Sequence, residues 1–460
     1  MANLRSVLRQ PDFFRLWLGQ VVSSIGDRFY QTALFTVVLG LNQGSQIGKE
    51  GSRVLFIGML PALLFAPLIG WIVDRFDRKG VLIFADLSRV VLVGLLITVW
   101  FHRHDLALVY VLVFFIGGMN CLFIPARQSA LPQLVTGPEL IAANSLISLV
   151  GVIASLIGVF CAGFVASIFG ARAGFYVTVG GFLFSAWSIF RIGAPLKPDP
   201  RERQEAAGPL AKAWGQIAAG WDYVRGDRAT QWLLGLSALF SFVTGFFMIS
   251  VMEFAVRGLD LEGLGRNVAA LARFLSHFAP KPPVINLPLI AVGLMMGALG
   301  LGLGLGSLFC GSGRRWTRWS GLPFAAFFLI GVAVFAFGQV KMYGVALGFG
   351  VLLGCSSALF AVPIDARLQT EIPNACRGRV FALRSFGTTV AFLAALTLHL
   401  SGYLLRVLGP ARLIEALGGG LAIATVALAA LSGRSLRGFW GASPATATVP
   451  ETPSVPQTSP

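Results

Sequence analysis

The chain has 460 residues, of which 56% are hydrophobic and only 12% are charged, and its mean hydropathy is +0.77. An ordinary soluble domain has about 25% charged residues, so the composition excludes a soluble protein and predicts an integral membrane protein. The net charge of +16 does not indicate nucleic-acid binding, because the basic residues gather in short loops between apolar runs. We expect no nucleic-acid partner.

Apolar runs of about 18 or more residues predict an all-α membrane protein with twelve transmembrane helices. The runs lie near residues 13–41, 54–73, 81–101, 106–125, 140–168, 173–193, 230–256, 288–309, 320–339, 343–364, 380–408 and 412–432. If the N-terminus is cytoplasmic, the cytoplasmic loops hold about twice as many Lys and Arg residues as the opposite loops. This bias predicts that both termini lie in the cytoplasm.

The first run contains two ionisable residues near its middle, Asp27 and Arg28. A charge inside a membrane-spanning helix is costly and marks a pathway or a coupling site. Asp27 is therefore the first candidate for exchanging a proton against substrate. The alternative is that Asp27 is paired structurally with a neighbouring helix. Asp86 and Arg89 add two further charges in the third run.

A tight charged loop joins the second and third runs, with the sequence Gly70-Trp-Ile-Val-Asp74-Arg75-Phe-Asp77-Arg78-Lys79-Gly80. Three bases that follow an acid at a helix end predict a cytoplasmic turn. The spacing resembles the signature loop of the major facilitator superfamily, a large group of secondary transporters. The matching residues are Gly70, Asp74, Arg75, Arg78 and Lys79, and Asp77 stands where that family usually has its second glycine.

The resemblance implies that Asp74 is a gating latch. Its carboxylate would meet a helix N-terminus near Gly378–Arg379 in the opposite half while the site faces outward, a contact worth about 0.3–1 kcal/mol. The alternative is a loop that only determines topology. The resemblance also implies that Arg127, at the inner end of the fourth run, bridges to Asp74.

Other polar residues within the runs are candidates for function. Asn120, Gln128 and Asn144, on the fourth and fifth runs, could line a cavity, although interhelical hydrogen bonding is the commoner role of such residues. Glu253, toward the outer end of the seventh run, is the second proton-coupling candidate. Its alternative role is to extend outward to the membrane surface.

The runs group into two halves with a weak internal repeat. Pro125-Ala-Arg127-Gln128 follows the fourth run, and Pro363-Ile-Asp365-Ala-Arg367 follows the tenth. We therefore predict an N-terminal six-helix bundle at residues 1–193 and a C-terminal six-helix bundle at residues 230–433, related by pseudo-symmetry.

Three segments lie outside the bundles. The linker at 194–229 contains an amphipathic stretch, which predicts a helix in the cytoplasmic membrane interface or packed beneath the bundle. The extracytoplasmic insertion at 257–287 holds a second amphipathic stretch, an interfacial helix or a lid. Residues 434–460 are predicted to be a disordered tail, because the part from Gly441 to Pro460 consists mostly of Pro, Thr, Ser and Ala with little charge.

The sequence offers no sign of enzymatic chemistry. The five cysteines are scattered without a Cys-x-x-Cys pair, and His102-x-His104 has no third ligand nearby, so we expect no metal. Gly302-x-Gly304-x-Gly306 lies inside an apolar run with no preceding strand, which favours close helix packing over a phosphate-binding loop. We expect neither a cofactor nor an enzyme.

Three stretches of the sequence point to one branch of this superfamily. They are Pro125-Ala-Arg-Gln-Ser-Ala-Leu-Pro-Gln-Leu-Val, Glu139-Leu-Ile-Ala-Ala-Asn144-Ser-Leu and Arg377-Gly-Arg379-Val-Phe-Ala-Leu. They are similar to the bacterial branch of the superfamily that includes siderophore exporters, macrolide efflux pumps and lysophospholipid transporters. This resemblance implies export of a small amphipathic molecule across a bacterial inner membrane, coupled to protons or another ion.

The expected partners are the lipid bilayer, a small-molecule substrate and the coupling ion, and we expect a monomer. The expected mechanism is rocking of the two halves around a cavity at the membrane midplane. Two alternatives stay open: a lysophospholipid flippase of the same fold, and a membrane sensor that does not transport.

Overall fold

The computed structural model describes residues 4–41, 47–103, 105–135, 139–154, 158–196, 221–266, 287–311, 321–372 and 374–441. These residues are almost entirely helical, as predicted. The helices are α1 (Leu4–Leu8), α2 (Pro11–Leu41), α3 (Ile47–Leu64), α4 (Ala66–Arg75), α5 (Arg78–Arg103), α6 (Leu106–Leu134), α7 (Glu139–Ile153), α8 (Val159–Phe190), α9 (Arg228–Arg257), α10 (Leu287–Gly311), α11 (Leu322–Gly338), α12 (Tyr343–Glu371), α13 (Asn374–Leu400) and α14 (Tyr403–Gly441).

Eight of these helices contain a stretch that is long and apolar enough to cross a membrane, and α11 is a shorter apolar helix. The other three predicted spans differ from these for local reasons. Helix α2 carries Asp12, Arg15, Asp27 and Arg28, which lower its hydropathy. The second span is divided between α3 and α4 at Phe65. The fifth is interrupted at residues 155–157, which lie outside the described residues.

Two helices begin at aspartate caps that their sequence places just before an apolar run. The Asp105 side chain accepts hydrogen bonds from the backbone N–H groups of Ala107 and Leu108, at 3.0 and 3.3 Å, and starts α6. Asp227 caps α9 in the same way. Such caps satisfy backbone donors that have no partner within the helix, so they fix where these spans start.

Gly170 marks a kink inside α8. Gly170 has a φ of +78°, a conformation that residues with a Cβ atom rarely adopt. The residue separates the end of the fifth predicted span from the sixth, so α8 contains parts of both.

The end of the chain differs from the prediction in two respects. The eleventh span was predicted to run to residue 408, but α13 ends at Leu400, and residues 403–408 form the first part of α14, which Gly409 with a φ of +73° separates by a kink from the twelfth span. Helix α14 then continues to Gly441, so residues 434–441 are helical and do not belong to a disordered tail. The linker stretch at 197–220 and the insertion at 267–286 lie outside the described residues.

Each half has its own buried core. In the N-terminal half, one cluster contains Val93, Leu96, Ile116 and Phe175, among others. The C-terminal half is organised around a large cluster of buried residues that includes Phe327, Phe337 and Phe360. We call the end of the molecule with the charged loop at residues 75–80 the loop end, and the opposite end the far end.

The two halves meet through an apolar cluster toward the far end, which we call the far seam. Ile249 of α9 with Leu393 and Leu396 of α13 form its buried centre. Side chains of the N-terminal half pack against them, namely Leu55, Phe56, Met59 and Leu63 of α3. Helices α8 and α10 also pack together across the halves. At the loop end, the two described clusters of the N-terminal half contain residues of that half alone.

Candidate functional site

A charged cluster lies near the middle of the N-terminal half, where α2, α5 and α6 meet. The Arg89 guanidinium of α5 is its centre. Nη2 donates to the Asp86 carboxylate, and Nη1 donates to Asn120 Oδ1 of α6 at 2.7 Å. Asp27 of α2 completes the cluster, with Oδ1 3.9 Å from Arg89 Nη1.

Arg89 is held by aromatic rings as well as by hydrogen bonds. Its side chain keeps only 2% of its accessible surface, and its guanidinium carbon lies 4.7 Å from the Phe123 ring centroid and 4.2 Å from that of Phe182. Nε donates to the Ala85 backbone carbonyl at 3.3 Å. A buried cation is tolerated only when it is paired and hydrogen-bonded, and Arg89 meets both conditions.

The two acids of the cluster differ in exposure. The Asp86 side chain is fully buried, whereas that of Asp27 keeps 30% of its accessible surface. Asp27 therefore has one side toward Arg89 and one side accessible from outside the packed core. The proton-coupling role of Asp27 stays a prediction, and Asp86 is the fully buried counter-charge of Arg89.

Asp27 belongs to a polar stripe along α2. Gln20, Ser24, Asp27 and Gln31 recur at intervals of four, three and four residues, which places them on one face of the helix. At a rise of about 1.5 Å per residue the stripe is roughly 16 Å long. We call this set the α2 stripe.

A guanidinium lies at each end of the α2 stripe. Arg127 of α6 donates from Nη1 to Gln20 Oε1 at 2.6 Å. Arg28 donates from Nη1 to Gln31 Oε1 at 2.9 Å. Within the described residues, neither arginine has a carboxylate oxygen within 4 Å. The predicted bridge from Arg127 to Asp74 stays a prediction, because the Asp74 side chain lies outside what the structure describes.

The other predicted cavity residues are distributed unevenly. Asn120 belongs to the charged cluster through Arg89. Gln128 and Asn144 have exposed side chains, so they are accessible to a ligand or to lipid. Asn120 thus makes the interhelical hydrogen bond that is the commoner role of such residues, and its part in lining a cavity stays a prediction.

Glu253 has a buried partner in the C-terminal half. Its Oε2 lies 3.8 Å from Nε2 of His399 on α13, and each side chain keeps 1% of its accessible surface. Extension of Glu253 to the membrane surface does not fit this burial. The Phe246 ring packs edge-on against His399, with centroids 5.4 Å apart. The pair lies about one helical turn beyond the far seam, because Glu253 comes four residues after Ile249 and His399 comes three residues after Leu396.

The charged loop makes most of its described contacts inside its own half. Lys79 Nζ donates to the Ile192 carbonyl at 2.7 Å and lies 5.6 Å from the Phe190 ring centroid. Arg78 donates from Nη1 to the Ser129 carbonyl at 3.2 Å, and Arg75 stacks on Trp71. Gly70 is within α4, and the Asp74 backbone continues that helix. These contacts tie the loop to the ends of α6 and α8.

Asp77, the departure from the family pattern, has a local function. Its Oδ2 accepts a hydrogen bond from the Gly80 N–H at 3.3 Å, so it supports the turn where α5 begins. Nearby, Asp12 accepts from the N–H groups of Gly193 and Ala194 at 3.0 and 2.9 Å. Burial alone would raise the pKa of the Asp12 carboxyl, but these bonds and Arg15 hold that pKa below its ordinary value.

Three features of the site were missed by sequence reasoning. His399 was not singled out, although it is one of only four histidines and lies in an apolar run. Gln20 was missed although it shares the helical face of Asp27. Arg28 was noted only as a neighbour of Asp27. In the described residues no group of three or more His, Cys, Asp or Glu side chains could hold a metal ion, and His102 and His104 have no described side chains.

Comparison with known proteins gives the family. Residues 16–396 match the Major Facilitator Superfamily. Macrolide efflux protein A of Streptococcus pyogenes is 32% identical over 129 residues, which are 28% of this chain and 31% of that protein. Lysophospholipid transporter LplT of Klebsiella pneumoniae is 27% identical over 382 residues, covering 83% of this chain and 86% of LplT.

The fold is similar to that of solved transporters. The crystal structure of a POT family transporter in complex with 5-aminolevulinic acid has a TM-score of 0.66 and covers 92% of this chain and 96% of that chain, at 12% identity. Because the sequence match extends from the first span into the eleventh and the fold agrees with it, the chain belongs to the Major Facilitator Superfamily and is one of its membrane transporters.

Proposed function

We propose that this transporter exports a small amphipathic molecule from the cytoplasm or inner leaflet by proton-coupled alternating access. The names of two relatives support this, since one is a macrolide efflux protein and the other a lysophospholipid transporter. We further propose a bacterial inner membrane as the location, with both termini in the cytoplasm and a monomer as the working unit.

The observation that carries the proposal is the exposed side of Asp27 beside a buried arginine. Arg89 has two carboxylates within 4 Å, and only Asp86 is fully buried. When Asp27 takes up a proton, its attraction for Arg89 is lost and Asp86 and Asn120 still hold the guanidinium. The link between α2 and α5 then weakens, so proton uptake changes how one helix of the N-terminal half is held.

We propose that the far seam is where the two halves separate during transport. The halves are joined there by apolar contacts of α3 with α9 and α13. Such contacts can separate and form again without breaking a covalent or ionic bond, as a rocking movement requires. We propose that export requires the far seam to open while the loop end closes, with Asp74 meeting the Gly378–Arg379 region in that state.

The Glu253–His399 pair is the second coupling candidate. Both side chains are buried next to the far seam, so opening the seam would bring water toward them. Glu253 would then exchange its proton on the far side of the membrane, and Asp27 would do so from the central pathway. Two proton sites in different halves would couple the movement of both halves to the gradient.

A lysophospholipid flippase of the same fold is the second candidate function. The uneven charge along the α2 stripe favours it, because two arginines there have only amide partners among the described residues. A lysophospholipid carries a phosphate group that could pair with them. A non-transporting sensor has no observation in its favour.

Reconstitution into proteoliposomes tests the proposal. We expect uptake of an amphipathic compound into inverted vesicles when a pH gradient is imposed, and loss of that uptake when a protonophore collapses the gradient. A panel of soluble drugs and of lysolipids separates the exporter from the flippase. Binding without transport or counterflow for every compound would contradict both.

A further inference from the structure

The contact between Arg127 and Gln20 leaves two buried hydrogen-bond donors without an acceptor. Arg127 Nη1 donates to Gln20 Oε1 at 2.6 Å. The Arg127 Nε and the Gln20 Nε2 are both buried, and neither has a hydrogen-bond partner among the described atoms. Buried donors in folded proteins are nearly always paired, so this pattern points to a missing acceptor.

The orientation of the Gln20 amide follows from the chemistry of arginine. A guanidinium has five donors and no acceptor, so it is the oxygen of the Gln20 amide, and not its nitrogen, that meets Arg127 Nη1. Exchanging the two amide atoms would place donor against donor. The Gln20 side chain is 2% exposed, so its unsatisfied N–H groups lie in the packed interior and not in bulk solvent.

The net charge around the α2 stripe is positive, so it too favours an acceptor that carries negative charge. Arg89 is matched by Asp86 and Asp27. Arg28 and Arg127 donate to the neutral amides of Gln31 and Gln20. Among the described residues, three arginines therefore face two aspartates around the stripe, and protonation of either aspartate would increase the excess of positive charge. Membrane-embedded charges of this kind mark a substrate pathway unless they reach the surface.

We propose that Arg127 and Gln20 bind an anionic oxygen group, a phosphate or a carboxylate, of the transported amphiphile. The inference rests on the proposed function and specifies its substrate class. An oxyanion supplies several acceptor lone pairs, so it can accept from Arg127 Nε and from Gln20 Nε2 together. Charge-assisted hydrogen bonds of this type are the strong ones in proteins. A cationic amphiphile would be repelled by Arg28 and Arg127.

Both a lipid headgroup and a free phosphorylated or carboxylated molecule can supply such an anionic oxygen group. Either would enter at the Arg127 end of the stripe, because Arg127 is partly exposed whereas Gln20 is buried. The Arg28 guanidinium, about two helical turns further along α2, offers a second cation toward which the headgroup can move. Asp27 lies between them, where a protonated carboxyl removes a negative charge from the path.

Equilibrium binding to the purified full chain in a neutral detergent tests this inference without relying on transport. The probes have hydrocarbon chains of the same length and differ in charge: lysophosphatidylglycerol, lysophosphatidylcholine, a monoacylglycerol and an alkyltrimethylammonium ion, with inorganic phosphate as competitor. We expect lysophosphatidylglycerol to bind about tenfold or more tightly than the monoacylglycerol, the range expected for charge-assisted hydrogen bonds. Competition by millimolar phosphate would indicate a free anion, and no competition a lipid headgroup.

Variants assign the preference to the site. Arg127→Gln and Gln20→Leu should each remove most of the preference for the anionic probe and leave monoacylglycerol binding unchanged, whereas Arg127→Lys should keep part of it. Arg191→Gln is the matched control, since Arg191 stacks on the exposed Trp187 ring and should keep the preference. If Arg127→Gln does not fold, the inference is tested by the binding of the four probes to the wild type and to Gln20→Leu.

Two results would overturn the inference: equal binding of the anionic and neutral probes by the wild type, or tighter binding of the cationic one. A preference that persists in both Arg127→Gln and Gln20→Leu would also overturn it. Failure of the wild type to transport any probe in proteoliposomes would instead contradict the proposed function, and the binding result would stand apart from it.

Discussion

The carboxylate of Asp27 on α2 lies 3.9 Å from the guanidinium of Arg89 on α5, although the two residues are in different helices and different predicted spans. This distance is that of an ion pair that is not in direct hydrogen-bond contact. Asp86 occupies the closer position on Arg89. Asp27 can therefore gain or lose a proton without leaving Arg89 unpaired.

The first prediction concerns Asp27 itself. Asp27→Asn keeps the size of the side chain but fixes it in a neutral form, so flux driven by a pH gradient should fall to background. Exchange of substrate across the membrane without a gradient should be retained. Both are measured in proteoliposomes. Asp105→Asn is the matched control, because Asp105 is exposed and asparagine caps a helix as well as aspartate does. Gradient-driven flux that survives Asp27→Asn would show that another group couples the proton.

A second prediction concerns the stability of the Arg89–Asp86 pair. Removing one member of a buried ion pair leaves an uncompensated charge and costs about 3–5 kcal/mol. Arg89→Gln should therefore lower the free energy of unfolding by roughly this amount. The double variant Asp86→Asn with Arg89→Gln should lose less stability than the sum of the losses of the two single variants. The reason is that neither member of the pair then leaves a buried charge behind.

Denaturant unfolding in detergent measures these energies, and the Arg75→Gln variant serves as its control, because Arg75 is exposed on the Trp71 ring. Additive effects of the two substitutions would contradict the account of a coupled pair.

A third prediction concerns the glycines of α10, where the close packing predicted from the sequence is found at Gly302 and Gly306 but not at Gly297. A Cβ atom on Gly302 would lie 2.0 Å from the Val351 backbone oxygen of α12, whereas a Cβ atom on Gly297 would meet nothing within 4 Å. Overpacking of a tight contact costs about 1–3 kcal/mol or more. Gly302→Ala should therefore lower the melting temperature of the purified protein, and Gly297→Ala on the same helix should not. Equal effects of the two changes would show that the helices can separate without cost.

The fold was largely predictable because the bilayer limits what an apolar run can form. A backbone in hydrocarbon must satisfy its hydrogen bonds internally, so long apolar runs become helices. Charges within the runs, such as Asp27 and Arg89, were visible for the same reason. Exact ends were less predictable where a glycine with positive φ, such as Gly170, or a helix that continues past the last apolar residue, as α14 does, decides them.

The partners of the site residues were not predictable from the sequence. Arg127 and Gln20 are 107 residues apart, and Glu253 and His399 come from different spans, so each contact depends on how helices pack. A sequence pattern shows which face of one helix is polar. It does not show which residue on another helix meets that face. The sequence around His399, the single histidine of α13, did not indicate a functional role. The role is suggested only by the structure, which places Glu253 next to it.

The central claim is that the two halves must part at the far seam for transport. Disulfide locking tests it most directly, with one cysteine at Met59 or Leu63 of α3 and one at Leu393 or Leu396 of α13, in a chain without its five native cysteines. Transport in proteoliposomes should stop when the disulfide forms and return when a reductant breaks it. Transport that continues at its normal rate through a fully formed disulfide would contradict the claim.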